Sequence, residues 1–414
     1  MALGDLIDCL GRLVHREDAM QVVRFLHKLS GKCLRDVHSH RHEAVWVGVS
    51  ALLRGKRLWL TALGRHVGGR VDEKHSIKRM DRLLGNRRLS GERLSWYCWL
   101  ARLAVGGCRH PVILVDWSDL DDQKCLFVLR ASVAVGGRAL PIYEEVHEGV
   151  GDRRIHGRFL RRLARVLGPG CVPILVTDAG FRVWWYELVE SLGFGYVGRV
   201  RNRETLRWPR GGKWFSNKRL HARAGGRPKA LGELWLSKTR PMLTRVYLYK
   251  GKARGRVKRT RMGARCHSGQ SNKHASRERE PWLLVSNLPG GFHAAKRVVS
   301  LFRTRMQIEE GFRDLKSPRH GFALRENLGR RLERTANLLL IAALGVLATW
   351  LMGLHGYQGN LHRGLQANTE TRRRVLSVFF VGRRLLARAL KVTVGDLRVA
   401  IRLLNQDVIS QVPA

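Results

Sequence analysis

Hydrophobic positions along the 414-residue chain recur first with a helical period and then, past residue 105, with a strand period. Over residues 1–105 apolar side chains fall three and four apart, as an amphipathic helix requires. AVWVGVSALLRGK (44–56), RLWLTALGRHVGG (57–69) and EKHSIKRMDRLLGN (73–86) are the clearest pieces, divided by Gly55 and by Gly68-Gly69. Glycine there supplies the backbone freedom of a tight interhelical turn. Short helices so arranged predict a helical N-terminal domain of helix-turn-helix character.

The strand period opens residues 106–201. PVILVD (111–116) is an apolar run ending in Asp116, and KCLFVLRASVAVGGRALPIYEEV (124–146) predicts two strands joined at Gly136-Gly137. Arg153 to Leu167 has helical spacing. CVPILVTD (171–178) is a second buried strand, ending in Asp178; FRVWWYELVESLG (181–193) is a helix and FGYVGRVR (194–201) a strand. This order predicts a mixed α/β sheet rather than strict strand–helix alternation. Residues 202–280 are rich in Gly, Arg, Lys and Ser, with strand patterns only at GELWLSK (232–238) and TRVYLYK (244–250). They read as a β-rich insertion, with a basic loop over 251–279. Over 281–320 regular structure resumes with PWLLVSNL (281–288) and one long helix from about Ala294 to Leu315. Residues 321–414 read as a helical C-terminal region. Within it, ANLLLIAALGVLATWLMGL (336–354) reaches the length of a membrane span. Asn337, Thr349 and two glycines interrupt it, which favours a buried core helix.

Charge narrows the function. There are 77 Lys and Arg against 33 Asp and Glu, a net charge of +44. Such a chain repels itself unless an anionic partner neutralises it, and nucleic acid is the partner whose released counterions reward the binding. A membrane partner is not expected, because neither a basic amphipathic segment nor a lipidation signal is evident. Lys74, Lys78, Arg79 and Arg82 occupy one side of the 73–86 helix, with Ile77, Met80, Leu83 and Leu84 on the other. That basic face is either merely solvated or a phosphate-contacting surface, and the overall charge favours DNA contact. Seven scattered cysteines, odd in number and without a CxxC, predict reduced thiols and no zinc knuckle. The N-terminus lacks the pattern of a secretion signal, so a cytoplasmic, nucleoid-associated protein is expected.

Against this basic background the acids stand out. Two apolar strands deliver Asp116 and Asp178 to their carboxyl ends, where sites form in α/β sheets. Carboxylates brought close repel unless a proton or cation lies between them. Mg²⁺ suits such a place, since it takes oxygen ligands and keeps room for water and substrate phosphates. A third acid lies in MQIEEGFRDLK (306–316): on a helix, Phe302, Arg305, Glu309, Phe312 and Lys316 share one stripe, and Glu310 points about 100° away. Taken alone, Arg305 and Glu309 read as a routine ion pair four residues apart. With two aspartate-ended strands in the same chain, the stripe reads better as a carboxylate flanked by two phosphate-gripping cations.

These residues also carry a resemblance. Phe302-x2-Arg305-x3-Glu309-x6-Lys316 has the spacing of the Y-R-E-K signature of insertion-sequence-four transposases, and Asp116 in LVDWSDL and Asp178 in VTDAGF resemble that family's two catalytic aspartates. IKRMDRLLGN (77–86), VLRASVAVGGR (128–138), EPWLLVSNLP (280–289), RMQIEEGFRDLKSP (305–318) and QANTETRRRVLS (366–377) extend the likeness, in order, over most of the chain. The resemblance implies an RNase H-like core interrupted by the β-rich insertion before the glutamate helix. It implies Mg²⁺-dependent cut-and-paste transposition, with Mn²⁺ able to substitute, through nicking, a DNA hairpin, its opening and strand transfer. It implies a homodimer pairing two element ends on double-stranded DNA. Asp116, Asp178 and Glu309 would be the catalytic and metal-binding set. Trp282 matches the family's base-holding tryptophan, while Trp117 and Met306 are candidates for the wedge that unstacks a base; core packing is the alternative for all three. The signature tyrosine is Phe302 here, which removes a hydroxyl and predicts a modest loss of activity. Asp119, three residues after Asp116, is a candidate fourth acid but reads better as a turn or cap residue. Two other readings share these acids or this charge: an RNase H-like nuclease, and a transposase-derived DNA-binding regulator without catalysis.

Overall fold

The computed structural model describes residues 21–201, 204–252, 255, 264–269, 271–272, 280–388 and 390–412. The first 20 residues and most of the expected basic loop over 251–279 lie outside the described residues. The chain divides into two compact units. One joins the residues through Cys171 to Met306–Val412, and the other is Val172–Arg305.

The first unit opens with the expected helices, Gln21–Cys33, Ser39–Gly55, Leu60–Arg65, Glu73–Leu84 and Arg87–Val105. Asn86 caps the last of these by accepting the Leu89 N–H at 3.1 Å. Gly64 lets the third and fourth helices touch, since a Cβ there would lie 2.5 Å from the Ile77 Cα. Three antiparallel strands follow, β1 (Val112–Asp119), β2 (Phe127–Ala134) and β3 (Ala139–His147). Gly136 and Gly137, at φ 83° and 82°, make the β2–β3 turn that the sequence anticipates.

The long apolar run is helix Leu332–Gln358, and 89% of its most apolar window is buried inside the protein. It is a core helix, packed against β3 and against helices Ser39–Gly55, Val378–Ala387 and Val394–Ser410. Its polar interruptions are satisfied internally: Asn337 accepts from Arg93 at 2.8 Å and donates to the Leu84 carbonyl at 2.9 Å. Thr349 returns its hydroxyl to the Gly345 carbonyl. Glycine sets the closest helix crossing. A Cβ at Gly353 would lie 2.0 Å from the Val378 carbonyl oxygen, and one at Gly382 would lie 1.8 Å from that of Thr349.

The second unit contains β4 (Ile174–Thr177), β5 (Gly195–Val200), β6 (Thr205–Arg207), β7 (Phe215–Ser216), β8 (Lys229–Leu236), β9 (Met242–Tyr249) and β10 (Trp282–Ser286). β4 and β5 are parallel, joined through helix Val183–Ser191. From β5 the sheet continues antiparallel through β10, β9, β8, β6 and β7. Gly198 makes room for the helix above it, since a Cβ there would meet the Tyr186 hydroxyl at 2.1 Å. The expected strands at 232–238 and 244–250 are β8 and β9. The chain is therefore mixed α/β, as predicted.

One element differs from expectation. The helix expected over 294–315 is divided at Arg305 into Ala294–Thr304 and Met306–Lys316. Arg305 keeps helical dihedrals, but its N–H bonds the Phe302 carbonyl, the tighter three-residue closure of a helix end. Only Glu309, Phe312 and Lys316 of the expected stripe share one unbroken helix.

Candidate catalytic site and nucleic-acid interface

Asp116 lies within β1 rather than at its end, because the strand runs on to Asp119 and pairs Asp116 with Arg130 of β2. Side-chain alternation puts Asp116 and Ser118 on one face and Trp117 on the other. Helix Met306–Lys316 packs on the Asp116 face. The Lys316 ammonium donates to Ser118 at 2.7 Å, and the Arg130 guanidinium lies 4.4 Å from the Phe312 ring centroid. Arg130 is itself buried and bonded to Glu144 at 2.7 Å. The aspartate strand and the glutamate helix are thus built against each other within one unit. Asp116 Oδ1 also accepts the Trp117 N–H at 2.9 Å, which orients the carboxylate.

The two adjacent glutamates have different surroundings. Glu309 is exposed. Glu310 lies 3.5 Å from Arg138 and 3.3 Å from Arg313, in a charge cluster that continues from Arg138 to Asp314 at 2.7 Å. Lys316 is largely buried, and burial lowers its pKa against the opposing pull of Asp119, 3.4 Å away. Asp119 also faces Arg325 at 3.6 Å. It is therefore the last residue of β1 and an ion-pair partner, not a turn or cap residue.

Trp117 turns its ring away from the Asp116 face. Its indole N–H donates to His156 Nε2 at 2.8 Å, and the ring meets His147 edge-on at 5.5 Å. Burial holds the His156 pKa down to about 4, with Asp152 opposing and His147 adding to the shift. Met306 is 38% exposed. The basic side chains of the Glu73–Leu84 helix, Lys74, Lys78, Arg79 and Arg82, are all exposed, while Met80, Leu83 and Leu84 are buried. The face is divided as its sequence spacing anticipates.

In the second unit Asp178 directly follows β4, and its Oδ1 accepts the Gly180 N–H at 2.7 Å. It opens on a cleft of about 300 Å³ lined by Arg182, Tyr186, Arg199, Arg201 and Glu204. Arg199 is the residue that sequence reading missed. Burial, and then the charges of Arg201 and Arg305, lower its pKa to about 10 against the pull of Glu280 and Asp178. The available signal was two arginines at alternate positions of an otherwise apolar strand, GYVGRVR, which places both on one face. Trp282, at the start of β10, stands between Tyr249 at 5.6 Å and Phe302 at 4.9 Å. Arg303 donates to the Tyr249 hydroxyl at 2.6 Å. Phe302 is buried, so its ring serves as a wall of this aromatic group.

Among the described residues no three His, Cys, Asp or Glu side chains gather into a ready-made metal cage. The donor chemistry nevertheless fits a hard cation: exposed and half-buried carboxylates are the ligands Mg²⁺ uses when substrate phosphates and water complete its shell.

Carboxylates on a sheet and on the helix packed over it, within so cationic a chain, define a protein that works on a polyanion. Residues 108–344 match the family model described as the transposase DDE domain, and the chain belongs to that family. It is a DDE-type transposase, a polynucleotidyl transferase and endonuclease of DNA transposition. Such enzymes bind DNA and use divalent metal ions. No curated protein matches the chain.

Proposed function

We propose that the protein moves an insertion sequence by cut-and-paste transposition, with Asp116, Asp178 and Glu309 as its catalytic carboxylates. The observation that carries this reading is the packing of the Glu309 helix on the Asp116 face of β1, inside the segment matched by the family model. Asp178 is assigned to the same set on its VTDAGF motif, and each carboxylate is required. The motifs resemble those of the transposase of the bacterial tetracycline-resistance composite transposon, with an RNase H-like core and a β-rich insertion before the glutamate helix.

Asp116, Asp178 and Glu309 would hold Mg²⁺, or Mn²⁺ in its place. The metal supplies an activated oxygen nucleophile and charge stabilisation on the leaving oxygen. Water attacks the phosphorus at the element's end and the 3′ oxygen leaves, taking a proton. The 3′-OH then attacks the phosphorus of the opposite strand and expels the 3′ oxygen of the flanking DNA, which takes the proton; water opens the resulting hairpin and restores the 3′-OH for transfer to target DNA. Arg305 and Lys316 grip phosphates beside the scissile bond, Lys316 exchanging Asp119 for phosphate. Trp282 offers an extruded base its ring, backed by Tyr249 and Phe302, which suits the stacking that base extrusion needs. Met306, exposed, is the better wedge; Trp117 is already held by His156. The Lys74, Lys78, Arg79 and Arg82 face binds the element ends. A homodimer pairs two ends, in a cytoplasmic, nucleoid-associated complex.

The test is cleavage of DNA bearing the element's own ends, with Mg²⁺, by wild type and Glu309→Gln. Hairpins from wild type alone are expected. Equal cutting by both proteins would remove Glu309 from the site. Cutting without hairpins would indicate a nuclease, and binding without cutting a regulator.

A further inference from the structure

The hairpin of β6 and β7 lies in the second unit and has no role in the chemistry above. Its sequence is Arg207-Trp-Pro-Arg-Gly-Gly-Lys-Trp-Phe215, and the stretch from Thr205 to Gly232 holds eight Lys and Arg and no Asp or Glu. Glu204 and Glu233 bound the stretch, and no acid lies within it. Gly211 and Gly212 turn the tip with φ of 103° and 98°, and the Gly211 N–H closes on the Trp208 carbonyl at 3.1 Å. Arg210, both glycines and Lys213 are exposed, and a Cβ on either glycine would meet nothing within 4 Å. The tip is therefore defined by its backbone and open to a ligand's close approach.

Two aromatic side chains flank it. Trp208 is 38% exposed, and its ring is supported by Phe215, 6.1 Å away and 32° from parallel. Trp214 is covered by the Arg207 guanidinium, 5.1 Å from its ring centroid. The supported indole, partly open to solvent, has Arg210 and Lys213 within five residues of it. That combination fits one ligand chemistry: a flat base to stack and phosphates on either side to neutralise.

We propose that this hairpin tip binds an unpaired DNA strand, with one base stacked on Trp208 and adjacent phosphates held by Arg210 and Lys213. In a duplex the base faces are occupied by their neighbours, so duplex DNA engages only the cations. The proposal rests on the transposase reading only for the source of the strand, which a cut or distorted element end provides. Binding itself needs no catalysis.

The test is fluorescence anisotropy of the full-length protein with labelled oligothymidylate and with a blunt duplex of the same length. Trp208→Ala is expected to weaken single-strand binding about tenfold, to change duplex binding less than about twofold, and to be rescued by Trp208→Phe. The double variant Arg210→Ala/Lys213→Ala is expected to flatten the single-strand salt dependence by a log–log slope of about 1.4, from two lost phosphate contacts. Unchanged single-strand affinity in Trp208→Ala, or equal loss on both DNAs, overturns the proposal. Should Trp208→Ala misfold, judged by a lowered melting temperature, an unchanged salt slope in the double variant overturns it instead. Hairpin formation at element ends is measured in parallel. Its absence from wild type sinks the transposition mechanism, while the anisotropy still decides this site.

Discussion

Glu309 and Glu310 are chemically identical and adjacent, yet one helical step gives them different work. Glu310 answers Arg138 and Arg313, so Glu310→Gln is expected to retain cleavage within about tenfold while Glu309→Gln abolishes it; single-turnover cleavage rates compare them. Asp119 offers a stability test at the same scale. Asp119→Asn leaves the buried Lys316 ammonium with Ser118 but without its carboxylate, and a loss of about 1–2 kcal/mol is expected in urea unfolding. The figure is held down because Asp119 is one-third exposed. Arg199→Ala is expected to retain the fold and reduce cleavage, since the guanidinium lines the cleft onto which Asp178 opens; circular dichroism and cleavage assays separate the two effects. Asp116 and Asp178 were legible as candidates because carboxylates at the ends of apolar runs are conspicuous in a basic chain, and Glu309 because its spacing sets it on a stripe with two cations. Arg199 was passed over, because its alternation with Arg201 is a weak signal in a chain of 77 Lys and Arg until burial isolates it.

Among elements, the core helix Leu332–Gln358 depends on glycine where it crosses Val378–Ala387. Gly382→Ala would drive a methyl into the Thr349 carbonyl, so the helices must separate. A destabilisation of about 1–3 kcal/mol is expected, read as a lower melting temperature. The helix was legible from its apolar run, and the β2–β3 hairpin from its glycine pair. Two boundaries were not. β1 continues past Asp116 because Trp117, Ser118 and Asp119 still pair with β2, although their polarity resembles a strand end. The break at Arg305 left no mark in the side-chain period, because it arises from one backbone hydrogen bond moved by a single residue.

At the scale of the whole molecule, charge and acid response are the accessible tests. Replacing Lys78 and Arg79 by alanine is expected to reduce the log–log salt slope of duplex binding by about 1.8, or about 0.9 for each lost phosphate contact. An unchanged slope in a filter-binding titration would remove this face from the DNA interface. His42 and His156, both buried in the first unit, have pKa values lowered to about 4 from 6.5, chiefly by burial. The unfolded chain takes up their protons first, so stability is present above pH 6.5 and is lost as pH falls from 6.5 toward 4. Each histidine contributes a slope of up to about 1.4 kcal/mol per pH unit, which thermal melts across that window would reveal.

The sequence alone determined the mixed α/β class and the core helix, and it pointed to a polyanion partner and to the candidate acids. Net charge, hydrophobic period and motif spacing are properties of residue order and need no coordinates. Tertiary structure decided which face of β1 meets the glutamate helix, that Lys316 is buried against Asp119, that Trp117 is held by His156, and that the β6–β7 hairpin presents an indole and two cations. Each of these depends on which side chains burial and alternation bring together from distant positions, and local pattern carries no record of that.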